Sequence, residues 1–167
     1  MKKSDTRTKI NIGCGPTNFG KEWIHIDGGD YDHVDFKDPY LSDISADSID
    51  LIYASHVLEY FDDEEAIHLL THWRLRLKPG GRLKLAVPDL EKLKLLDEPL
   101  SRWIGPLYGK MKMGDKFIYH KTGYDEQRLR ALLLFCGFRK IRVTIYPLHG
   151  IDDHSHAPIS LNMEAVK

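Results

Sequence analysis

Six short stretches of the chain carry the apolar or alternating pattern of β-strands. They are residues 9–13, 23–27, 50–54, 82–87, 140–145 and 159–166. The first runs into a glycine turn, and the second ends in an acid, Asp27. The last two alternate most regularly, and we expect them to form an antiparallel pair.

Two other stretches carry the period of an amphipathic helix. The first has apolar residues at i, i+3, i+4, i+7 and i+11, namely Ala66, Leu69, Leu70, Trp73 and Leu77. The segment 78–81, Lys-Pro-Gly-Gly, predicts its end. The second stripe is Leu129, Leu132, Leu133 and Cys136, with Gly137 placed to end the helix.

Strands that alternate with helices predict an α/β fold with a mostly parallel sheet covered on both faces. We find no repeat or linker, so residues 1–167 are predicted to form a single domain. Residues 89–123 carry Pro99, Pro106 and scattered aromatic residues. We expect them to form a helical or irregular excursion over the carboxyl ends of the strands.

Composition and charge exclude several classes of protein. The 167 residues are 42% apolar and carry 24 basic and 25 acidic side chains, a net charge of −1. A general nucleic-acid binder would need a basic excess, and the basic residues at 74–84 lack interleaved aromatics, so no nucleic-acid partner is expected. Residues 27–65 hold thirteen acids and one lysine, and residues 74–142 hold seventeen basic and seven acidic residues. Two solvated faces are favoured here over a charge-steered partner.

The sequence also favours a reduced, aqueous compartment. Cys14 and Cys136 match no metal or redox spacing. No apolar run approaches the roughly 20 residues of a membrane span, and residues 1–7 lack the apolar region of a signal peptide. We therefore expect a cytoplasmic protein without a membrane partner.

Chemistry-bearing residues follow the predicted strands, where open α/β sheets bind their ligands. The first loop is Gly13-Cys14-Gly15, whose glycines let backbone N–H groups approach a ligand closely. Asp27 ends the next strand and is placed to accept hydrogen bonds from a ribose diol. Asp38 lies in a third loop, and a fourth holds Ala54, Ser55 and His56.

The first loop does not suit a dinucleotide. The dinucleotide motif Gly-x-Gly-x-x-Gly would place a third glycine at position 18, which is Asn18. Only seven residues separate Gly15 from Trp23, whereas a crossover between parallel strands takes about a dozen or more. The first helix is therefore predicted to be vestigial, and with it the dipole that stabilises a pyrophosphate. A ligand without phosphates fits better, and an adenosine that bears an amino-acid tail is such a ligand.

The ordered motifs of residues 9–90 resemble those of the class I S-adenosylmethionine-dependent methyltransferases. Residues 11–15 (NIGCG) are similar to their first motif, and residues 23–27 (WIHID) to their ribose-binding strand end. Residues 50–60 (DLIYASHVLEY) and 77–83 (LKPGGRL) resemble their fourth-strand motif and the turn into their fifth strand. The chain departs from many members at Asn11, where they carry an acid, and at Tyr60, where histidine is common.

The resemblance implies a Rossmann-like, mostly parallel sheet of seven strands or slightly fewer, with an antiparallel C-terminal strand and a truncated first helix. It also implies S-adenosylmethionine as cofactor. Gly13, Cys14 and Gly15 would line its methionine side. Asp27, with Gly28 beside it, would bind the ribose, Asp38 would contact the adenine edge, and Ala54, Ser55 and His56 would close the pocket near the sulfonium.

Methyl transfer requires the acceptor and the methyl group to be held in line, and a base where the acceptor is a hydroxyl. His56 is the candidate base, because an imidazole titrates near neutral pH; packing against the cofactor or capping a helix is an equal alternative. Glu59 is interpreted as a first-turn helix acid. Tyr124 either faces the acceptor or packs at a helix start, which is the commoner role.

Residues 149–156 (HGIDDHSH) offer three histidines and two aspartates. A metal site, a solvated loop and a substrate-facing loop remain open for this segment, and the solvated loop is favoured because no helical spacing positions the ligands. No metal is predicted.

These observations predict methyl transfer from S-adenosylmethionine to a small-molecule or sugar-containing acceptor. A protein that binds S-adenosylmethionine without turnover, acting as a partner subunit, is the main alternative, and a nicotinamide dehydrogenase is less favoured because of the missing phosphate site.

Overall fold

The computed structural model describes residues 7–97, 99–144 and 157–167. Its strands are β1 (Lys9–Ile12), β2 (Trp23–Ile26), β3 (Ile49–Ser55), β4 (Leu77–Pro88), β5 (Met111–Met113), β6 (Lys116–Ile118), β7 (Arg139–Val143) and β8 (Ser160–Val166). Its helices are α1 (Asp63–Arg76), α2 (Leu90–Lys94), α3 (Leu100–Tyr108) and α4 (Glu126–Phe135), and a 3₁₀ turn spans Leu58–Tyr60.

The main sheet has six strands in the order β2-β1-β3-β4-β8-β7. The first four are parallel, and β8 is antiparallel to both of its neighbours. This confirms the predicted α/β fold, its mostly parallel sheet and the antiparallel C-terminal strand. In the described residues this sheet has six strands, one fewer than seven. At the outer edge of β2 the described chain adds only an isolated parallel bridge, between Ile26 of β2 and Phe36.

The prediction of helices on both faces is wrong for the described residues. Buried side chains of α1 and α4 join one core cluster with the strands, on the face that carries Ile10, Ile52 and Leu85. The opposite face holds a small cluster, Tyr53 and Ala86 with Phe19 and Trp23 packed against them, and no helical residue belongs to it. The reason is the short β1–β2 connection, which forms a turn closed by Thr17 N–H donating to the Cys14 carbonyl instead of a helix.

Residues 27–48 cross from β2 to β3 over the face that α1 covers. Tyr40, Leu41 and Ile44 pack into the main core, and the indole of the buried Trp73 donates to the Pro39 carbonyl (2.7 Å). This crossover therefore adds cover to the face that carries α1 and helps to fix the position of α1.

Residues 89–123 form two short helices, α2 and α3, and the two-stranded β5–β6 hairpin. The excursion begins at Pro88, the carboxyl end of β4, and returns to it through a parallel bridge between Asp89 and Tyr124. Within the part of the chain that is described, no helix is both long and apolar enough to cross a bilayer.

Candidate functional site

The carboxyl ends of β1, β2 and β3 meet at one edge of the sheet. In register, Ile12 lies between Ile26 and Ala54, so the loops that follow these three strands are neighbours. The predicted glycine loop, Asp27 and Ser55–His56 are thereby brought together, although they span more than forty positions of the chain. Parallel pairing forces this convergence, because every strand ends at the same edge.

The glycine loop takes a conformation that L side chains rarely adopt. Gly13 has φ +67° and Gly15 has φ +52°. A Cβ on Gly13 would lie 2.2 Å from Cγ2 of Val57, whereas one on Gly15 would meet no atom within 4 Å. Gly13 is therefore required for close packing against the loop after β3, and Gly15 faces open space in which a ligand can approach the backbone.

Cys14 lies between the two glycines and is buried. Burial, reinforced by the nearby Asp27 carboxylate, raises the pKa of its thiol to about 12. The thiol therefore stays protonated at neutral pH, so Cys14 packs as a small apolar side chain and does not act as a nucleophile.

Asp27 joins two loops. Its Oδ2 accepts a hydrogen bond from the Gly15 N–H (2.8 Å), and its Oδ1 accepts one from the Gly29 N–H (2.7 Å). Each carboxylate oxygen has two acceptor sites, so each retains capacity for a further donor such as a ribose hydroxyl. The side chain thus orders the glycine loop and presents acceptors at the end of β2.

Gly28 contacts the excursion. A Cβ at this position would lie 2.5 Å from Sδ of Met113, which is in β5. The hairpin therefore covers the chain immediately beyond Asp27, and the absence of a side chain at Gly28 is what lets it approach.

The Asp38 carboxylate forms hydrogen bonds within its own loop. Its Oδ1 accepts from the Tyr40 N–H (2.9 Å) and its Oδ2 from the Ser42 N–H (2.8 Å). Burial alone would raise the pKa of this carboxyl, but the hydrogen bonds from Ser42 and Tyr40 outweigh it, and the pKa is lowered. Asp38 is ionised and ordered, and its role toward adenine stays a prediction.

At the end of β3, Ala54 is buried in the main core. Ser55 is partly buried, and its hydroxyl oxygen has no hydrogen-bond partner among the described residues. Buried hydroxyls are rarely left unpaired, so this one is a position at which a bound molecule would be stabilised.

His56 follows Ser55 in the left-handed region, with φ +54°. Its N–H donates to the Ala86 carbonyl (2.8 Å), which fixes the backbone. Its Nε2 lies 2.8 Å from Oγ of Ser160, the first residue of β8. Its side chain is 15% exposed. A partly buried imidazole on a strained backbone at a strand end is typical of a functional position.

Glu59 and His120 are site residues that the sequence reasoning missed. The Glu59 side chain is only 1% exposed, and its Oε1 lies 3.3 Å from Nδ1 of His56 and 3.8 Å from Nε2 of His120. Glu59 lies in the first turn of the 3₁₀ segment, as interpreted from the sequence, and it is also a buried acid between two imidazoles. The sequence does place His56 and Glu59 three residues apart just before a helix, and this spacing could have predicted their contact. No pattern in the sequence predicts the contact with His120.

Tyr124 takes the packing role. It is fully buried in the main core, next to the start of α4, and burial raises the pKa of its hydroxyl. No group of three or more metal-ligating side chains is found within the described ranges. The predicted loop at 149–156 lies outside the described residues.

Comparison with known proteins identifies the fold. No family model and no curated protein matches the sequence. Among solved structures, an S-adenosylmethionine-dependent methyltransferase from Archaeoglobus fulgidus is similar over 96% of this chain and 86% of its own, with 20% identity and a TM-score of 0.66. The 1,6-didemethyltoxoflavin-N1-methyltransferase of Burkholderia thailandensis, solved with S-adenosylhomocysteine, aligns with 95% of this chain and 70% of its own, at 16% identity and a TM-score of 0.61. A methyltransferase from Methanosarcina mazei aligns with 95% of this chain and 91% of its own, at 18% identity and a TM-score of 0.60. The chain has the fold of the class I S-adenosylmethionine-dependent methyltransferases.

Proposed function

We propose that the chain binds S-adenosylmethionine at the ends of β1, β2 and β3 and transfers its methyl group to a small-molecule or sugar-containing acceptor. One observation carries the proposal: the 2.8 Å hydrogen bond that joins the Gly15 N–H to Asp27 places an open glycine loop beside an acceptor of ribose hydroxyls. The fold supports it, since the similar Burkholderia enzyme holds S-adenosylhomocysteine.

The residues present fit such a nucleoside. The open space above Gly15 and the remaining acceptor sites of Asp27 suit an amino-acid tail and a ribose, respectively. Residues 29–32 and 34–37, between Asp27 and Asp38 in the chain, line a cavity of about 310 Å³ where the adenine is expected. When bound, S-adenosylmethionine supplies a methyl group on a sulfonium that is already activated for transfer.

The protein's own part is positioning and proton acceptance. His56 is the candidate base, held at the edge of the same crevice by its backbone hydrogen bond to Ala86. Met113 and its hairpin cover the chain beyond Asp27 and contribute to excluding water from the crevice. A nucleic-acid acceptor is not proposed.

Binding of S-adenosylhomocysteine tests the cofactor site. We expect this nucleoside to raise the melting temperature of the wild-type protein, and Asp27→Asn to weaken its binding at least tenfold in calorimetry, because one charged acceptor of the ribose is lost. Asp43→Asn is the matched control, since Asp43 is exposed and does not line the cavity where the adenine is expected. Equal affinities of wild type and Asp27→Asn, with both proteins folded, would contradict the ribose assignment.

Binding without turnover is the second candidate function. It is favoured by the β1–β2 connection, which has no helix and leaves one side of the crevice less enclosed. Incubation of the protein with cell extract and cofactor labelled in the methyl group separates the two: a labelled product that requires the wild-type protein supports an enzyme. Its absence, together with tight binding of S-adenosylhomocysteine, supports the binding role.

A further inference from the structure

A carboxylate without hydrogen bonds lies beside the candidate base. The Glu59 side chain is 1% exposed, and neither of its oxygens has a hydrogen-bond partner in the described residues. Its backbone carbonyl accepts from the N–H groups of Lys121 and Thr122, which fixes the 3₁₀ turn against the segment after the hairpin. A buried, isolated negative charge is expensive, so the surroundings must neutralise it.

The two imidazoles are the groups placed to do so. His120 is 7% exposed, and its Nδ1 lies 3.1 Å from the Pro106 carbonyl. A carbonyl only accepts, so Nδ1 of His120 carries a proton. Its Nε2 then faces Glu59, and the two lone pairs would repel each other unless a proton lies on one of them. The geometry therefore favours one proton carried by the Glu59–His120 pair, whose atoms lie at ion-pair distance, 3.8 Å.

The same argument fixes the state of His56. Its Nδ1 faces the same Oε1 of Glu59 at 3.3 Å, so the proton of the neutral ring belongs on Nδ1. Its Nε2 is then the lone pair, and the Ser160 hydroxyl donates to it across 2.8 Å. The ring is thereby oriented with its basic nitrogen away from the acid, as a general base requires.

We infer that Glu59 and His120 are positioning residues that share one proton and hold His56 as a neutral base, and that the methyl acceptor is therefore a hydroxyl group. This inference rests on the proposed function. In the step, the acceptor oxygen forms a bond to the methyl carbon, and the carbon–sulfur bond breaks with its electron pair on sulfur. The acceptor's hydroxyl proton passes to the Ser160 oxygen as Ser160 gives its own proton to Nε2 of His56. An ionised carboxylate acceptor would need no such base.

Other polar groups also surround the three residues. They are Tyr60, whose ring packs edge-on against His120 (4.7 Å between ring centroids), and, on the Ser160 side, Lys92, which donates to the Ser160 carbonyl, and Asp89, which is 3.9 Å from Lys92. Lys92 and Asp89 offset each other, and the carboxylate nearest to the rings is Glu59.

Imidazole titration by ¹⁵N NMR tests the cluster without any cofactor. We expect Glu59→Gln to lower the titration midpoint of His120, because the charge that favours its protonated form is removed. Glu64→Gln, an exposed acid of the same segment, should leave that midpoint unchanged. Assignments come from His56→Gln and His120→Gln. An unchanged His120 midpoint in Glu59→Gln overturns the inference.

The wild-type protein keeps the test decisive if Glu59→Gln does not fold. Its ¹⁵N chemical shifts should show the neutral His56 ring with its proton on Nδ1, as the contacts with Glu59 and Ser160 require; a proton on Nε2 counts against the cluster. Shifted midpoints with no binding of S-adenosylhomocysteine uphold the cluster and reject the proposed function. Binding of S-adenosylhomocysteine with unshifted midpoints supports the proposed function and rejects the cluster.

The acceptor class has its own readout. A labelled product of a hydroxyl acceptor is an ether, which resists mild alkali and releases labelled methyl iodide in hot hydriodic acid. Release of labelled methanol in alkali would identify a carboxylate acceptor, and resistance to both treatments would identify a nitrogen acceptor. Either of these results overturns the hydroxyl assignment.

Discussion

Gly13 shows how a single missing side chain sets the geometry of the crevice. Its φ of +67° and the position of Val57 leave no room for a Cβ. The sequence motif predicted a glycine whose backbone a ligand can approach closely. The structure adds that the loop after β3, which carries Val57, also packs closely against this glycine.

We expect Gly13→Ala to destabilise the protein by about 2–4 kcal/mol, the sum of left-handed backbone strain and overpacking against Val57. Gly15→Ala, which meets no atom, should lose only the strain, about 1–2 kcal/mol. Urea unfolding measures both. Adding Val57→Ala to Gly13→Ala should relieve the packing part, and equal losses in Gly13→Ala and Gly15→Ala would exclude the contact with Val57.

His25 is a buried histidine held neutral by its contacts. It is 3% exposed, and its Nε2 accepts a hydrogen bond from the Phe19 N–H (2.9 Å). Burial, together with the nearby His33, lowers its pKa below 6.5, although Asp35 opposes this. A protonated ring would place a donor against the Phe19 N–H, so the geometry and the shift agree.

Acid should therefore unfold the protein partly through His25. Because its pKa is lower in the folded state, the unfolded state gains the proton first, and the contribution to stability is present above pH 6.5 and is lost as the pH falls below that value. We expect urea unfolding to show a larger loss between pH 7.5 and 5.5 for wild type than for His25→Gln, whose amide oxygen can accept the same N–H without titrating. Equal losses of stability in wild type and His25→Gln would show that His25 does not contribute to acid unfolding.

Among the elements, α1 is the one whose sequence specifies it most completely. Its apolar stripe becomes the buried face made of Ala66, Leu69, Leu70 and Trp73. Its start is a capping box, in which the Asp62 carboxylate accepts from the Glu65 N–H and the Glu65 carboxylate accepts from the Asp62 N–H, both at 2.9 Å. The helix follows from local patterns alone because these contacts are three or four residues apart.

Asp62→Ala should cost about 1 kcal/mol of stability, since it leaves the Glu65 N–H without its acceptor. Glu64→Ala, in the same turn but exposed and outside the box, should change stability by no more than about 0.5 kcal/mol. Thermal and urea unfolding of the two variants provide the comparison. A similar cost for both would show that charge near the helix start, rather than the cap, is responsible.

The β1–β2 connection illustrates the limit of patterns at the scale of elements. Counting residues correctly predicted that no full helix fits between Gly15 and Trp23. The count does not show what takes the place of the helix, which is Phe19, packed 5.0 Å from Trp23 and 5.5 Å from Tyr53 between ring centroids.

At the scale of the whole molecule, the acidic and basic segments of the chain meet each other. Residues of the acidic segment pair with basic side chains from later elements, in the contacts Asp63–Arg128, Glu65–Lys121 and Asp50–Lys78. Exposed pairs of this kind contribute little to stability, because solvent screens them. The pairing nevertheless accounts for part of the charge asymmetry within the fold, which agrees with solvated faces rather than a charge-steered partner.

The sequence by itself determined the six strands of the main sheet, the two long helices, the glycine loop and the acid at the end of β2, because each depends on spacing within one element or across one turn. Only the tertiary structure decided that the long helices share one face, that the hairpin covers Gly28, and that His56, Glu59, His120 and Ser160 meet. Those contacts join residues up to 104 positions apart. They arise from strand order and from the path of the excursion, which no local period records.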